Sequence, residues 1–328
     1  MESELNKMQI PDVTAPEELG YSMKCPGCAD QRTTKLLVAP DRFNLRKKMY
    51  TLVRCQECSL VWLGNPPNPD EMVSHYGALY DQAVSTAGES LSRFVWRREQ
   101  LARYKQSGAV LDIGCSSGSF LYCMKEAGWD VFGIEMSERS ASMAKQRCGA
   151  QVFVGDVLDA PFAEGSFDAI TGFHVLEHMY QPREVMARIF RWLKPGGVFY
   201  MMVPNIDSGA ARIFGAYWFA LELPRHLYHF SPTSLRHMAK SVGLEEVSLI
   251  ADREPFIENS VRYWIDSLLE KVGISRRPLA VVPQPGLVRR AIRKGFRLTL
   301  LPILSWSMRF AGPGESIHAV FRKPADRL

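Results

Sequence analysis

No apolar run in the sequence approaches the roughly 20 residues that a membrane-spanning helix needs. The longest candidate, at 298–306, is broken by Thr299, Pro302 and Ser305. The N-terminus, MESELNKMQIPD, lacks a basic segment followed by an apolar stretch, so no secretory leader is expected. Low-complexity tracts and internal repeats are missing too. Of the 328 residues, 46% are hydrophobic, 23% charged and 11% aromatic, which excludes a mostly disordered chain. A chain of this size can bury a core that needs no staple. The expectation is one main domain with an appendage or two, located in the cytoplasm.

Acidic residues are absent from 271–314, where nine basic residues fall. The whole chain carries +5, so the remainder is net negative and the positive charge is local. Within that stretch, 287–297 places apolar residues at 287, 288, 291, 292 and 296 with charges between them. A cationic amphipathic helix of this kind suits an anionic surface. Two partners follow as expectations: a peripheral contact of 271–310 with the inner membrane face, or a phosphate-bearing acceptor. A solvated helical cover over a sheet is the plain structural alternative. Nucleic acid is disfavoured, because no RNA-binding pattern of aromatics is interleaved with the charges.

Cysteine is sparse, at seven residues, yet four fall in two pairs: C-P-G-C at 25–28 and C-Q-E-C at 55–58. In a chain without a leader such knuckles point to zinc before disulfides. Two intervening residues let both thiolates face one ion, and four thiolates at about 2.3 Å close a tetrahedral shell. Cys25, Cys28, Cys55 and Cys58 are therefore expected to hold a structural Zn2+. A redox dithiol would instead use one such pair at the start of a helix.

The chain divides into a mobile tail (1–20), a zinc-ribbon-like module (21–64) and a linker with N-terminal helices (65–107). From residue 108 short apolar runs alternate with helical stretches to 254 and resume at 314–325, with a basic helical insertion at 255–313 between them. Strands alternating with helices of ten to fifteen residues predict a mostly parallel α/β sheet covered on both faces. Ser231 and Pro232 are placed as N-cap and first residue of one of those helices.

Ligands of such sheets bind at the carboxyl ends of the strands, where strand order reverses. The first strand ends in VLDIGCSSGSF (110–120), with glycines at 114 and 118. This is neither the dinucleotide G-x-G-x-x-G loop nor a G-K-[ST] phosphate loop. Asp112 under the loop favours a cationic ligand over a pyrophosphate. Glu135 ends the second strand, 21 residues past Gly114, where a carboxylate can accept both hydroxyls of a ribose. Asp156 follows the third strand. Phe173 leads out of the fourth into His174 and the pair Glu177-His178.

In this order and spacing the residues resemble the Rossmann-like, class I S-adenosyl-L-methionine-dependent methyltransferases. The resemblance implies a seven-stranded sheet carrying a small N-terminal zinc ribbon and a helical basic insertion before the last strand. It implies that the loop from Gly114 through Cys115 to Gly118 holds the methionine part. Glu135 with Met136 would take the ribose, Asp156 with Val157 would frame the adenine, and Phe173 would close near the sulfonium.

The segment L-P-R-H-L-Y-H-F-S-P (223–232) resembles the acceptor-capping stretch of ubiquinone-type O-methyltransferases and sugar methyltransferases. Cysteine knuckles ahead of such a domain are similar to those of sugar C-methyltransferases, although Arg225 stands where that set has Glu and His229 where it has Tyr. A hydroxyl or carbon acceptor needs a base, and histidine suits neutral pH. His226, His178 and His174 are the candidates; each could equally line or pack its loop. The implied activity is methylation of a hydroxyl or carbon of a small sugar-like, lipid-linked or nucleotide-linked acceptor. The alternative is RNA or protein modification with the zinc ribbon as a docking module.

Overall fold

A computed structural model describes residues 24–42, 46–76, 91–252, 257–271, 299 and 312–325. The tail at 1–20 and the amphipathic stretch 287–297 lie outside the described residues.

Seven strands form the main sheet: β4 (Ala109–Ile113), β5 (Asp130–Glu135), β6 (Gln151–Val154), β7 (Phe167–Phe173), β8 (Leu193–Pro204), β10 (Glu245–Asp252) and β11 (Ser316–Arg322). Their order is β10-β11-β8-β7-β4-β5-β6. β4, β5, β6, β7 and β8 pair in parallel, while β11 runs antiparallel between β8 and β10. The strand order reverses at β4, between β5 and β7. The crevice for a ligand therefore opens past Ile113.

Alternation along each strand explains the two cores. On β4, Leu111 and Ile113 face one side and Val110 the other; on β8, Phe199, Met201 and Val203 oppose Val198, Tyr200 and Met202. Successive side chains on a strand point to opposite faces, so each face needs its own cover. α2 (Leu91–Ala102), α3 (Ser119–Glu126) and α4 (Glu138–Cys148) supply one cover through Phe94, Leu101, Phe120, Leu121, Ala141 and Ala144. α5 (Pro182–Trp192) and α7 (Pro232–Ser241) supply the other through Val185, Ile189, Trp192, Leu235 and Met238. α7 begins as expected: the Ser231 hydroxyl accepts from Ser234 N–H, Ser234 returns the bond, and Pro232 opens the helix.

A second sheet belongs to the cysteine module. β1 (Thr33–Asp41), β2 (Arg46–Cys55) and β3 (Val61–Leu63) form an antiparallel set, completed by β9 (Tyr228–His229) from the far side of the chain. Residue 64 is therefore no clean boundary. Tyr50, Leu52, Leu60 and Trp62 share one continuous core with Leu111, Ile170 and Met201. Two short helices, α1 (Pro69–Val73) and α6 (Gly209–Phe214), and the 15-residue α8 (Ile257–Lys271) are the remaining α-helices among the described residues.

Candidate active site

On the donor side, the turn from β4 into α3 needs left-handed backbone at Gly114 (φ +70°), Ser116 (φ +49°) and Gly118 (φ +77°). A methyl group on Gly114 would sit 2.7 Å from Val175 Cγ2, and one on Gly118 would sit 2.7 Å from Ala144 Cβ. The loop therefore keeps bare backbone facing the crevice. Glu135 braces it: Oε2 accepts from Ser116 N–H and Oε1 from Ser137 N–H, both at 2.9 Å. Each oxygen retains a lone pair for a ribose hydroxyl. Asp112 is buried and accepts from Thr171 Oγ1 at 2.6 Å. Asp156 caps the single 3-10 turn Val157–Asp159 through Leu158 N–H at 2.8 Å, and Val157 is buried beneath it.

Met136, 70% exposed, leaves an apolar surface beside the Glu135 carboxylate. Cys115 is buried, and Gly133 makes room for its sulfur; a Cβ at 133 would lie 2.6 Å from it. Burial pushes the Cys115 thiol pKa far up, which suits a packing role. Phe173 is held edge-on by Phe120 and Tyr200, with ring centroids 5.1 and 5.2 Å away, and the Arg97 guanidinium lies 4.4 Å from its ring centre. Arg97 escaped sequence reading because nothing local marks a helical arginine as buried. Bare loop backbone, ribose-ready Glu135 and buried Asp112 fit an adenosine-containing cationic donor. That donor supplies an activated methyl group on its sulfonium.

A second cluster of polar side chains gathers at the carboxyl end of β7. Glu177 lies on the 3-10 turn Leu176–His178 and is fully buried. Neither carboxylate oxygen has a hydrogen-bond partner; His174 Nδ1 stands 3.4 Å from Oε1. Burial opposes ionisation of Glu177, but His174, His178 and His226 together hold its pKa below the ordinary glutamate value.

His178 Nδ1 lies 3.1 Å from the Arg225 carbonyl and 3.1 Å from Tyr76 Oη. His226 Nδ1 lies 2.9 Å from the Ala220 carbonyl, and its Nε2 is 3.5 Å from Glu222 Oε2. A carbonyl only accepts, so both imidazoles carry a proton on Nδ1, and in the neutral form each Nε2 holds a lone pair. The two rings meet edge-on with centroids 4.6 Å apart. Burial, then the neighbouring His226, depresses His178 to about 4. His229 is buried 6.2 Å from His226; burial drives its pKa well below the usual value, and neither ring nitrogen has a partner.

Glu222 had no sequence signal. Its left-handed backbone (φ +41°) turns it back onto Arg225 (3.0 Å) and His226, and although burial opposes ionisation, His226 and Arg225 pull it to about 2. The three candidate bases thus form one cluster with Glu177 and Glu222.

In the N-terminal module, Cys25 Sγ lies 3.5 Å from Cys58 Sγ, and Cys28 Sγ 3.6 Å from Cys55 Sγ. All four ligand atoms fall within 4.8 Å of one another. A disulfide would need about 2.05 Å; the edges of a tetrahedron with metal–sulfur bonds of about 2.3 Å are close to the observed spacing. Gly27 N–H also donates to Cys25 Sγ at 3.3 Å. The donor set fits a closed tetrahedral ion such as zinc. Each knuckle ends on a left-handed residue, Ala29 (φ +64°) and Ser59 (φ +61°).

A family profile described as "Methyltransferase domain" matches residues 87–249. The ubiquinone biosynthesis O-methyltransferase of Thiobacillus denitrificans is 33% identical over 169 residues, which are 48% of this chain and 71% of that protein. The protein of the same name from Bordetella avium is 35% identical over 165 residues, 47% of this chain and 68% of its own. Among solved structures, a chain from the complex of the Haloferax volcanii Trm112 methyltransferase activator with a candidate methyltransferase aligns with a TM-score of 0.51 at 18% identity. That alignment covers 75% of this chain and 98% of the other; at such identity it speaks to the fold alone. With the β4–β7 crevice and the glycine loop already in place, the chain belongs to the methyltransferase-domain family and is a Rossmann-like, S-adenosyl-L-methionine-dependent methyltransferase.

Proposed function

We propose that the chain methylates a hydroxyl of a small acceptor, sugar-like or linked to a lipid or nucleotide. One observation carries this: His174, His178 and His226 converge with Glu177 at the carboxyl end of β7, beside the loop that takes the donor. A sulfonium donor needs no activation, so what remains is to align and deprotonate the acceptor. Alignment contributes roughly 7–11 kcal/mol. Transfer of the hydroxyl proton to a positioned imidazole contributes about 10²–10⁴-fold. The oxygen–carbon bond forms as the carbon–sulfur bond breaks, the sulfonium becomes a neutral thioether, and the proton stays with the histidine cluster. The names of the relatives are consistent with transfer to oxygen.

In this reading the four cysteines hold a structural zinc ion and the module is a wall of the acceptor pocket. Tyr76 reaches His178, Arg225 donates to the His75 carbonyl at 3.2 Å, and Leu63 N–H donates to the Leu227 carbonyl. The positive charge of 271–310 in the sequence suits a phosphate-bearing acceptor or the inner membrane face. The test uses the full chain with methyl-labelled donor and a panel of catechols, nucleotide deoxysugars and RNA. Product NMR showing an O-linked methyl on a small acceptor supports the reading. A methyl found only on carbon or nitrogen, or only on RNA, refutes it.

A further inference from the structure

Three histidines gather past the carboxyl end of β7, and their surroundings separate them. His178 Nδ1 is shared by the Arg225 carbonyl and Tyr76 Oη, and burial, then His226, lowers its pKa to about 4, which makes it a weak base. His226 Nδ1 faces the Ala220 carbonyl and its Nε2 faces Glu222 Oε2, so both of its nitrogens already look onto acceptors. His174 differs. Its Nδ1 stands 3.4 Å from Glu177 Oε1, while its Nε2 has no hydrogen-bond partner among the described residues. Its side chain is 24% exposed against 6% for His226, so it is the more open to an approaching molecule. Both of its chain neighbours touch the donor side: Phe173 packs edge-on to Phe120, 5.1 Å away, and Val175 Cγ2 lies 2.7 Å from where a Cβ on Gly114 would sit. His174 also holds a left-handed backbone (φ +59°), uncommon for a residue with a side chain, and its N–H is anchored to the Met202 carbonyl at 2.8 Å. Such conformations persist where the surrounding structure imposes them, and they gather at working sites.

We propose that His174 is the catalytic base and Glu177 the residue that positions it, an assignment that rests on the hydroxyl methylation proposed above. An ionised carboxylate only accepts, so Glu177 holds the Nδ1–H tautomer of His174 and leaves the Nε2 lone pair for the acceptor hydroxyl. Glu177 is suited to this. It is fully buried, and although burial opposes its charge, His174 first and then His178 and His226 keep its pKa below the ordinary glutamate value. As the acceptor oxygen bonds to the methyl carbon and the carbon–sulfur bond breaks, the hydroxyl proton passes to His174 Nε2. The imidazolium that forms faces Glu177, so the transition state gains an attraction that the neutral ring lacks. His178 and His226 are left as packing that keeps the Glu177 charge in place.

The resting tautomer can be read without turnover. Nitrogen NMR of the full-length protein, labelled in its histidine rings, is expected to show the His174 proton on Nδ1, the signal being assigned by its loss in His174→Asn; asparagine tolerates the left-handed backbone. Glu177→Gln, which keeps the shape of the side chain, should abolish that preference, because its amide can also donate. A resting proton on Nε2, or a tautomer unchanged in Glu177→Gln, overturns the proposal. Turnover is read on the catechol or nucleotide deoxysugar to which wild type adds an O-linked methyl. His174→Asn and Glu177→Gln should each lose at least about 100-fold in kcat, with acceptor KM and donor affinity within about threefold, the latter also showing that each variant folds. His226→Asn, whose amide can still donate to the Ala220 carbonyl, should lose less than about tenfold. A His174→Asn enzyme within about tenfold of wild type, or a larger loss in His226→Asn, overturns the assignment and leaves the O-methyltransferase reading intact. No O-linked methyl on any of these acceptors refutes that reading itself, and the choice of base falls with it.

Discussion

The donor loop makes a quantitative claim through two glycines that share a backbone shape and differ in their surroundings. Gly118 (φ +77°) and Gly149 (φ +64°) are both left-handed. A Cβ at 118 would lie 2.7 Å from Ala144 Cβ and 2.8 Å from Ala144 Cα, whereas at 149 nothing stands within 4 Å. Left-handed backbone costs an L-residue about 1–2 kcal/mol. Forcing a methyl into packed backbone adds about 1–3 kcal/mol. Gly149→Ala should therefore lose about 1–2 kcal/mol in urea unfolding, and Gly118→Ala about 2–5 kcal/mol. Because α3 and α4 must separate to admit the methyl, Gly118→Ala should also loosen the loop and weaken donor binding by more than tenfold, with Gly149→Ala binding normally. Both readouts come from one preparation: urea melts followed by circular dichroism, and calorimetry with the demethylated donor product. Equal destabilisation by the two substitutions, or normal donor affinity in Gly118→Ala, would refute the reasoning.

Glu135→Gln places an amide where two backbone N–H groups now donate to carboxylate oxygens, so one donor is left unpaired at about 1–3 kcal/mol, and donor affinity should fall at least tenfold by calorimetry. Asp168 accepts from Lys194 Nζ at 2.6 Å and from Ala109 N–H at 3.0 Å; burial opposes its ionisation, but these partners depress its pKa. Its contribution is complete above the ordinary aspartate value of about 3.9 and is lost as pH falls through the depressed native one. Wild type should therefore lose stability on acidification below about pH 4, with a steeper slope than Asp168→Asn in unfolding measured stepwise from pH 5 to 2. Cys55→Ser should lower zinc content and raise the acceptor KM while donor affinity stays within about twofold, because the module touches the acceptor loop; unchanged acceptor kinetics in metal-depleted protein would contradict that wiring.

The sheet was legible because its parallel strands are short apolar runs separated by helical stretches. Asp112, Glu135, Asp156 and Phe173 sit at successive strand ends, as periodicity and chain order predict. The cap at Ser231 was legible because capping is local. The acceptor site was only half legible. His174, Glu177 and His178 share one turn, so their closeness follows from spacing. Tyr76 meets His178 across 102 residues, and β3 meets β9 across 166 (Trp62 to Tyr228); no window of sequence contains both partners. Glu222 reaches His226 only because its backbone turns left-handed, a conformation that nothing in a glutamate announces.

These long-range contacts bear on why a cysteine module precedes this domain. β9 follows His226 by two residues, and β3 pairs with it directly, Val61 against His229 and Trp62 against Tyr228. A two-residue strand has little stability of its own and depends on its neighbour. The neighbour in turn ends a sheet whose turns are fixed by Cys25, Cys28, Cys55 and Cys58. The loop that carries His226 is therefore braced by the cysteine module through β3 as well as by the main domain, where Leu227 N–H donates to the Glu177 carbonyl and Ile206 N–H to the Phe230 carbonyl. Hydrogen exchange would separate the two halves: on depletion of the thiolate-bound metal, amides at 225–231 should lose protection before those at 110–135. The reverse order would mean that the acceptor loop is held by the main sheet alone and that the module serves some other end.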